Sequence, residues 1–259
     1  MNSIFIKNMF FPSFAGSLLM LFAGCATTAT QENWDDITFN APMDTDGYIL
    51  QPPGLSSPLI TYYDGATGQQ VTKPWASLSN DQINKILSDT HATISVSQYN
   101  ASGTVSYEAA SATASAGRYQ VIMNYCNFVG EDVQDPTTHA LIGQGRVGVG
   151  LRLTALIITT KADINLGSVL ALGVAADEGT VRGTMSVDSI GIRIAGNAGP
   201  ILSNTTIDES SIQKTLEAIA VIQSKIADPT TYLDPQLIEI KPAPGQNPDN
   251  IRHSLTTGT

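Results

Sequence analysis

Three histidines, two cysteines and a scatter of carboxylates are the side chains here that could do chemistry. His91, His139 and His253 could bind a metal or carry a proton. None has a second His, a Cys or a carboxylate at a ligand spacing such as HExxH or CxxC. No GxSxG nucleophile elbow is present, and no Walker-type or GxGxxG loop precedes a helix. Gly143-Gln144-Gly145 stands before a strand pattern, where a phosphate loop does not fit. Asp44-Thr45-Asp46-Gly47 begins like a calcium loop, but the further acidic ligands and the closing Glu are missing, so a polar turn is expected. Asp135, His139 and Arg146 fall near one end of a predicted strand and are the grouping to watch for acid–base work. Triads and paired carboxylates are set by space rather than order, so they are invisible at this level. No catalytic, metal-binding or cofactor-binding residue is assigned.

The cysteines bear on address. Met1 to Gly24 has Lys7 as its only charged side chain, then an apolar run from Met9 to Gly24 interrupted by Pro12. The run is short for a membrane-spanning helix and suits a cleaved export signal. It ends in Leu21-Phe22-Ala23-Gly24-Cys25: a large apolar residue, two small ones, then Cys. This resembles the lipobox of bacterial lipoproteins, with Phe22 where Leu is usual. The resemblance covers the first tenth of the chain. It implies that Cys25 is acylated and becomes the first mature residue, a lipid anchor in the membrane. Ala26, rather than Asp, follows the Cys, which by the same resemblance implies the outer membrane. Cys126 is then left without a partner, which excludes a disulfide framework. It sits in the strand pattern Arg118 to Phe128 and is expected to be a small buried apolar residue.

The 259 residues are 42% hydrophobic and 14% charged, with a formal net charge of −10. Without Lys7 the chain carries 12 basic and 23 acidic residues, a net of −11. An acidic chain with no basic stripe argues against nucleic-acid binding and against attraction to anionic lipid.

The central stretch, Gly143 to Ala195, reads as a meander of three long strands. Val147, Val149, Leu151 and Leu153 alternate with Arg146, Gly148, Gly150 and Arg152. A second run puts Ile164, Leu166, Leu170, Leu172 and Val174 on one face and small residues on the other, where a helix of this chain is expected to approach closely. The third run carries Val181, Met185 and Val187. Lys161-Ala162-Asp163 and Asp177-Glu178-Gly179 read as the connecting turns. The Arg residues of the outer runs read as a solvated face.

Before this centre the residues predict a short helix opened by Ser79 or Asn80, strands over Ala92 to Tyr99 and Gly103 to Ala110, the Arg118 to Val129 strand, and a loop from Glu131 to His139. After it, Thr206-Ile207-Asp208-Glu209 has capping-box spacing. Ile212, Leu216, Ile219, Ile222 and Ile226 share a face, and Asp228-Pro229 stops the helix. Leu237 to Lys241 reads as an edge strand.

The expected class is α+β: a largely antiparallel sheet covered by one long C-terminal amphipathic helix. The expected organisation is a signal peptide over 1–24, a lipidated tether over 25–60, one domain over 61–241 and a loose tail over 242–259. The expected function is a lipid-anchored structural or interaction protein of the cell envelope, held to the membrane by its lipid and binding a protein partner or itself. An envelope hydrolase or carbohydrate-binding module is the alternative, and a pore built from long hairpins a third.

Overall fold

The computed structural model describes residues 46–52, 54, 59–87, 89–99, 105–108, 113–114, 116–134, 138, 140–193 and 201–246. Cys25, Asp135, His139 and His253 lie outside them, as do the expected signal peptide and most of the tail.

In chain order, the described residues open with β1 (Ile49–Leu50), followed by the hairpin β2 (Leu59–Asp64) and β3 (Gln69–Pro74). Asp64 organises that turn: its carbonyl accepts from Thr67 and Gly68, and its Oδ1 accepts from Ala66 N–H at 2.9 Å. Helix α1 (Asn80–Ile86) starts at Ser79, one of the two expected caps, whose side chain and that of Gln82 cap each other's backbone. Then come β4 (Asp89–Tyr99), β5 (Val105–Glu108), β6 (Thr113–Ala114), β7 (Gly117–Gln134), β8 (Leu141–Thr159) and β9 (Ile164–Asn165). Helix α2 (Val169–Asp177) is followed by β10 (Val181–Ile190), β11 (Ile192–Arg193) and β12 (Leu202–Thr206). Helix α3 (Glu209–Ala227), β13 (Tyr232–Leu233) and β14 (Gln236–Pro242) complete the order.

The architecture is α+β, and its main sheet is antiparallel in every pairing. Strand β8 is its spine. One side of β8 pairs along its length with β7, which in turn pairs with β4 and then β5. The other side is shared end to end: β14 takes Gly143 to Gly148, and β10 takes Gly150 to Thr159. The hand-over falls at Val149. There Gly191, at φ +63°, leaves a Cβ-sized space 2.6 Å from the Asp234 carbonyl and 3.0 Å from Val149 Cγ1, so only glycine fits.

The middle run of the expected meander is a helix. Of the residues read as a second long strand, Ile164 and Asn165 form β9, Leu166 and Gly167 turn the chain, and those from Val169 on form α2. Ser168 caps it by accepting from Ala171 N–H at 3.3 Å. The expected hairpin Asp177-Glu178-Gly179 is instead its C-terminus: Gly179 adopts φ +70°, Gly179 N–H donates to Ala176 O and Thr180 N–H to Ala175 O. That pair of bonds is a Schellman motif. A run apolar on every side carries no period that separates strand from helix, and the caps decide.

Other boundaries moved for local reasons. Strand β7 continues through Gln134, because Glu131 to Gln134 still pair with β8, where a loop was expected. Helix α3 is capped by Asp208 and Ser211 rather than by Thr206 and Glu209, since Thr206 remains paired to Thr184 of β10. Strand β14 is not an edge, because β1 pairs beyond it. Within the residues read as a tether, Ile49, Leu50 and Ile60 are buried.

The core lies between one sheet face and the helices. Val149, Leu151, Leu153, Ala155 and Ile157 of β8 meet Val121, Met185 and Val187 from the adjoining strands and Ile212, Ile222 and Ile226 from α3. Both α2 and α3 touch the sheet and each other. Helix α3 buries Ser211, Ile212, Thr215, Ala218, Ile222 and Ile226. Leu216, expected on that side, stands off the stripe by roughly 100° about the axis and is 45% exposed. At the far end α1 fastens α3: Asn84 Nδ2 donates to Ile226 O at 3.0 Å, and Asn80 Nδ2 donates to Pro229 O at 2.8 Å and to Thr231 O.

Candidate functional site

Two surfaces stand out, one charged and one apolar. The charged one lies on the sheet face away from α3. Period-two alternation sends Arg146, Gly148, Gly150 and Arg152 of β8 to that face. Register sets Asn124, Cys126 and Phe128 of β7 beside Arg152, Gly150 and Gly148, and places His91 and Thr93 of β4 next to Cys126 and Asn124. Asp188 of β10 and Glu239 of β14 face Arg152 and Arg146 respectively.

The Arg residues of β8 are not a solvated face. Arg152 is 5% exposed. Its Nε donates to Asn124 Oδ1 at 2.7 Å, and its terminal nitrogens donate to Gln51 O at 2.6 Å and Ile238 O at 3.2 Å. Arg146 forms an ion pair with buried Glu239, lies 3.7 Å from Asp46, and stacks 3.9 Å from the Tyr48 ring centre. Together these two guanidinium groups bind the Asp46 to Gln51 segment to the sheet. Burial of a long polar side chain is compatible with the fold because its donors are met, two of them by backbone carbonyls. Gly148 and Gly150 beside them let β7 come close: a Cβ at Gly150 would run into the Tyr125 carbonyl. Of the β-strand arginines in question, Arg182 is the exposed one.

Electrostatics follow from burial. Desolvation pulls the Arg152 guanidinium below its usual range, against the attraction of Glu239 and Asp188. Desolvation raises the half-buried Asp188 carboxyl, opposed by Arg152. Burial pushes the Cys126 thiol up to about 12, opposed by the Arg152 charge. Cys126 is thus the buried apolar residue expected, packed with Ile190 and Ile238. The pocket among these side chains holds about 180 Å³ of empty space, open solvent included, and is lined by His91, Thr93, Phe128 and Arg146 among others.

Of the expected grouping, Asp135 and His139 lie outside the described residues, and Arg146 contacts Glu239, Asp46 and Tyr48. Asp46 of the calcium-like turn serves as that ion-pair partner. Among the described residues no group of three or more His, Cys, Asp or Glu could hold a metal. The carbonyl-seeking role of Arg152 left no sequence signal beyond Gly148 and Gly150, which precede it on the same strand face.

The apolar surface is on α2. Gly173 faces α3, where a Cβ would stand 2.9 Å from Ile212 Cγ1. The close approach expected on the small-residue face of a strand falls instead at one glycine between two helices. Leu172 and Ala175 are buried beside it. Leu170 and Val174, four residues apart and so on one face, are 60% and 61% exposed. No residue from Ile164 to Ala176 is charged. Leu216 of α3 adds another exposed apolar side chain one turn beyond Ile212.

Comparison with family models, with curated proteins and with solved structures finds no match to this chain.

Proposed function

We propose that this chain is a lipid-anchored interaction protein of the bacterial cell envelope, acylated at Cys25, directed to the outer membrane, and docking a protein partner on its helical layer. In this reading α3 is the amphipathic helix that covers the sheet, and α2 is carried on it as the docking element. The observation behind the proposal is the outward face of α2, where Leu170 and Val174 stay more than half exposed. A two-turn helix with no charge of its own before Asp177 leaves this apolar area to water unless something covers it. The Leu21-Phe22-Ala23-Gly24-Cys25 stretch supports the anchor. Several acyl chains hold a protein far more firmly than one, since each buried CH₂ adds about 0.8 kcal/mol. The small pocket gives the hydrolase or carbohydrate-binding reading no comparable support.

Metabolic labelling with an alkynyl fatty acid, followed by membrane fractionation, tests the anchor. The wild-type chain takes the label and sediments with outer membranes, and Cys25→Ser does neither. An unlabelled wild-type chain overturns the anchor. The double substitution Leu170→Glu and Val174→Glu is expected to stay anchored while losing its partner.

A further inference from the structure

We infer that the partner seated on α2 is a protein surface with an apolar groove rimmed by Lys and Arg. This rests on the interaction reading above and names the chemistry of the other side. The apolar centre is Leu170 and Val174, with Leu216 alongside the α2–α3 seam. Its rim is acidic. Asp163 precedes α2, and Asp177 and Glu178 close it. On α3, exposed Glu209 stands one turn before Ile212, on the side that meets Gly173. Against these four carboxylates stand Lys161, drawn to Glu178 at 3.9 Å, and exposed Arg182 at the start of β10. The rim therefore keeps an excess of negative charge, in the same sense as the whole chain.

That sign selects among occupants. A second copy seated face to face would set the same carboxylates against each other, because a two-fold contact is self-complementary. A membrane surface is a poor fit, because helices that lie in it pair their apolar face with Lys and Arg and meet anionic headgroups. A protein groove with basic residues at its edge satisfies both parts, apolar contact at the centre and opposite charge at the rim. The short anchor pair at positions 170 and 174 fits a helix laid into such a groove.

The test is photo-cross-linking in cells, with the full chain carrying p-benzoylphenylalanine at position 170, at 174, or at the control position Tyr63, which is 68% exposed on β2. The expected result is an adduct at 170 and 174 at least tenfold above that at 63, joined to a segment of another protein that has Lys or Arg around its apolar residues. Asp177→Lys combined with Glu178→Lys should lower the yield at 170 tenfold or more. An adduct with a second copy, with lipid, or with an acidic protein segment overturns the basic groove; the first and last leave an interaction surface standing. No adduct above the control at either position overturns the inference and the interaction reading together.

Discussion

Ile212 of α3 occupies the space that a side chain at Gly173 of α2 would need, with 2.9 Å between Ile212 Cγ1 and the position of the missing Cβ. This contact sets how deeply the two helices sit on one another, and so how much of α2 faces outward. Gly173→Val should cost about 1–3 kcal/mol through overpacking. Ile212→Ala should cost less in that background than in the wild type, because it empties the contested space. Urea unfolding of the single and double variants measures the coupling, and strictly additive losses would mean that the two side chains do not compete.

Arg146 and Glu239 form an ion pair with little access to water, their side chains being 14% and 2% exposed. Removing one partner strands the other charge. Arg146→Met is expected to cost about 3–5 kcal/mol, whereas Arg146→Met with Glu239→Met should cost much less. Tyr48 loses its stacked guanidinium in both, so near-ultraviolet circular dichroism should change equally while stability does not.

The Cys126 thiol, raised to about 12 by burial, has a defined pH signature. Its acidic form is favoured by folding. The stability it contributes is whole below the unfolded value near 9 and falls as pH climbs toward the folded one. The slope is about 1.4 kcal/mol per pH unit at most. Cys126→Ala should remove this slope between pH 9 and pH 12. At pH 8 the native thiol should resist maleimide until the protein is unfolded, and fast labelling of the folded chain would contradict its placement.

Asp188 titrates in the same sense at lower pH. Its folded pKa is raised by desolvation despite Arg152, so its favourable contribution is present below the ordinary carboxylate range and is lost as pH rises through the raised value. Asp188→Asn should therefore gain on the wild type as pH is raised from about 3 to 7. Denaturation midpoints across that window give the difference, and a gain in the opposite direction would show that attraction to Arg152 outweighs burial.

Elements marked by a chemical signal at the point where they begin or end were legible from the residues alone. Ser79 and Gln82 announce α1, and Asp228-Pro229 ends α3. Period-two alternation located β4, β7, β8 and β10, because one face of each strand is apolar and the alternation follows from the pleat. The same rule misread α2. Its residues are apolar on every side, alternation then distinguishes nothing, and the decision passed to Ser168, Gly179 and the packing of Gly173 on Ile212.

By itself, then, the sequence determined an acidic chain rich in antiparallel strands, with Cys126 as an apolar strand residue. Local chemistry suffices for that, since strand faces and caps are read from neighbours a few residues apart. Tertiary structure alone decided that Arg152 would spend its donors on Gln51, Ile238 and Asn124, residues 101, 86 and 28 positions away. It alone decided that β14 and β10 would divide one side of β8 between them, and that Leu170 and Val174 would face outward. Those outcomes depend on which distant backbone groups compete for the same donors and the same space, and no local pattern encodes that competition.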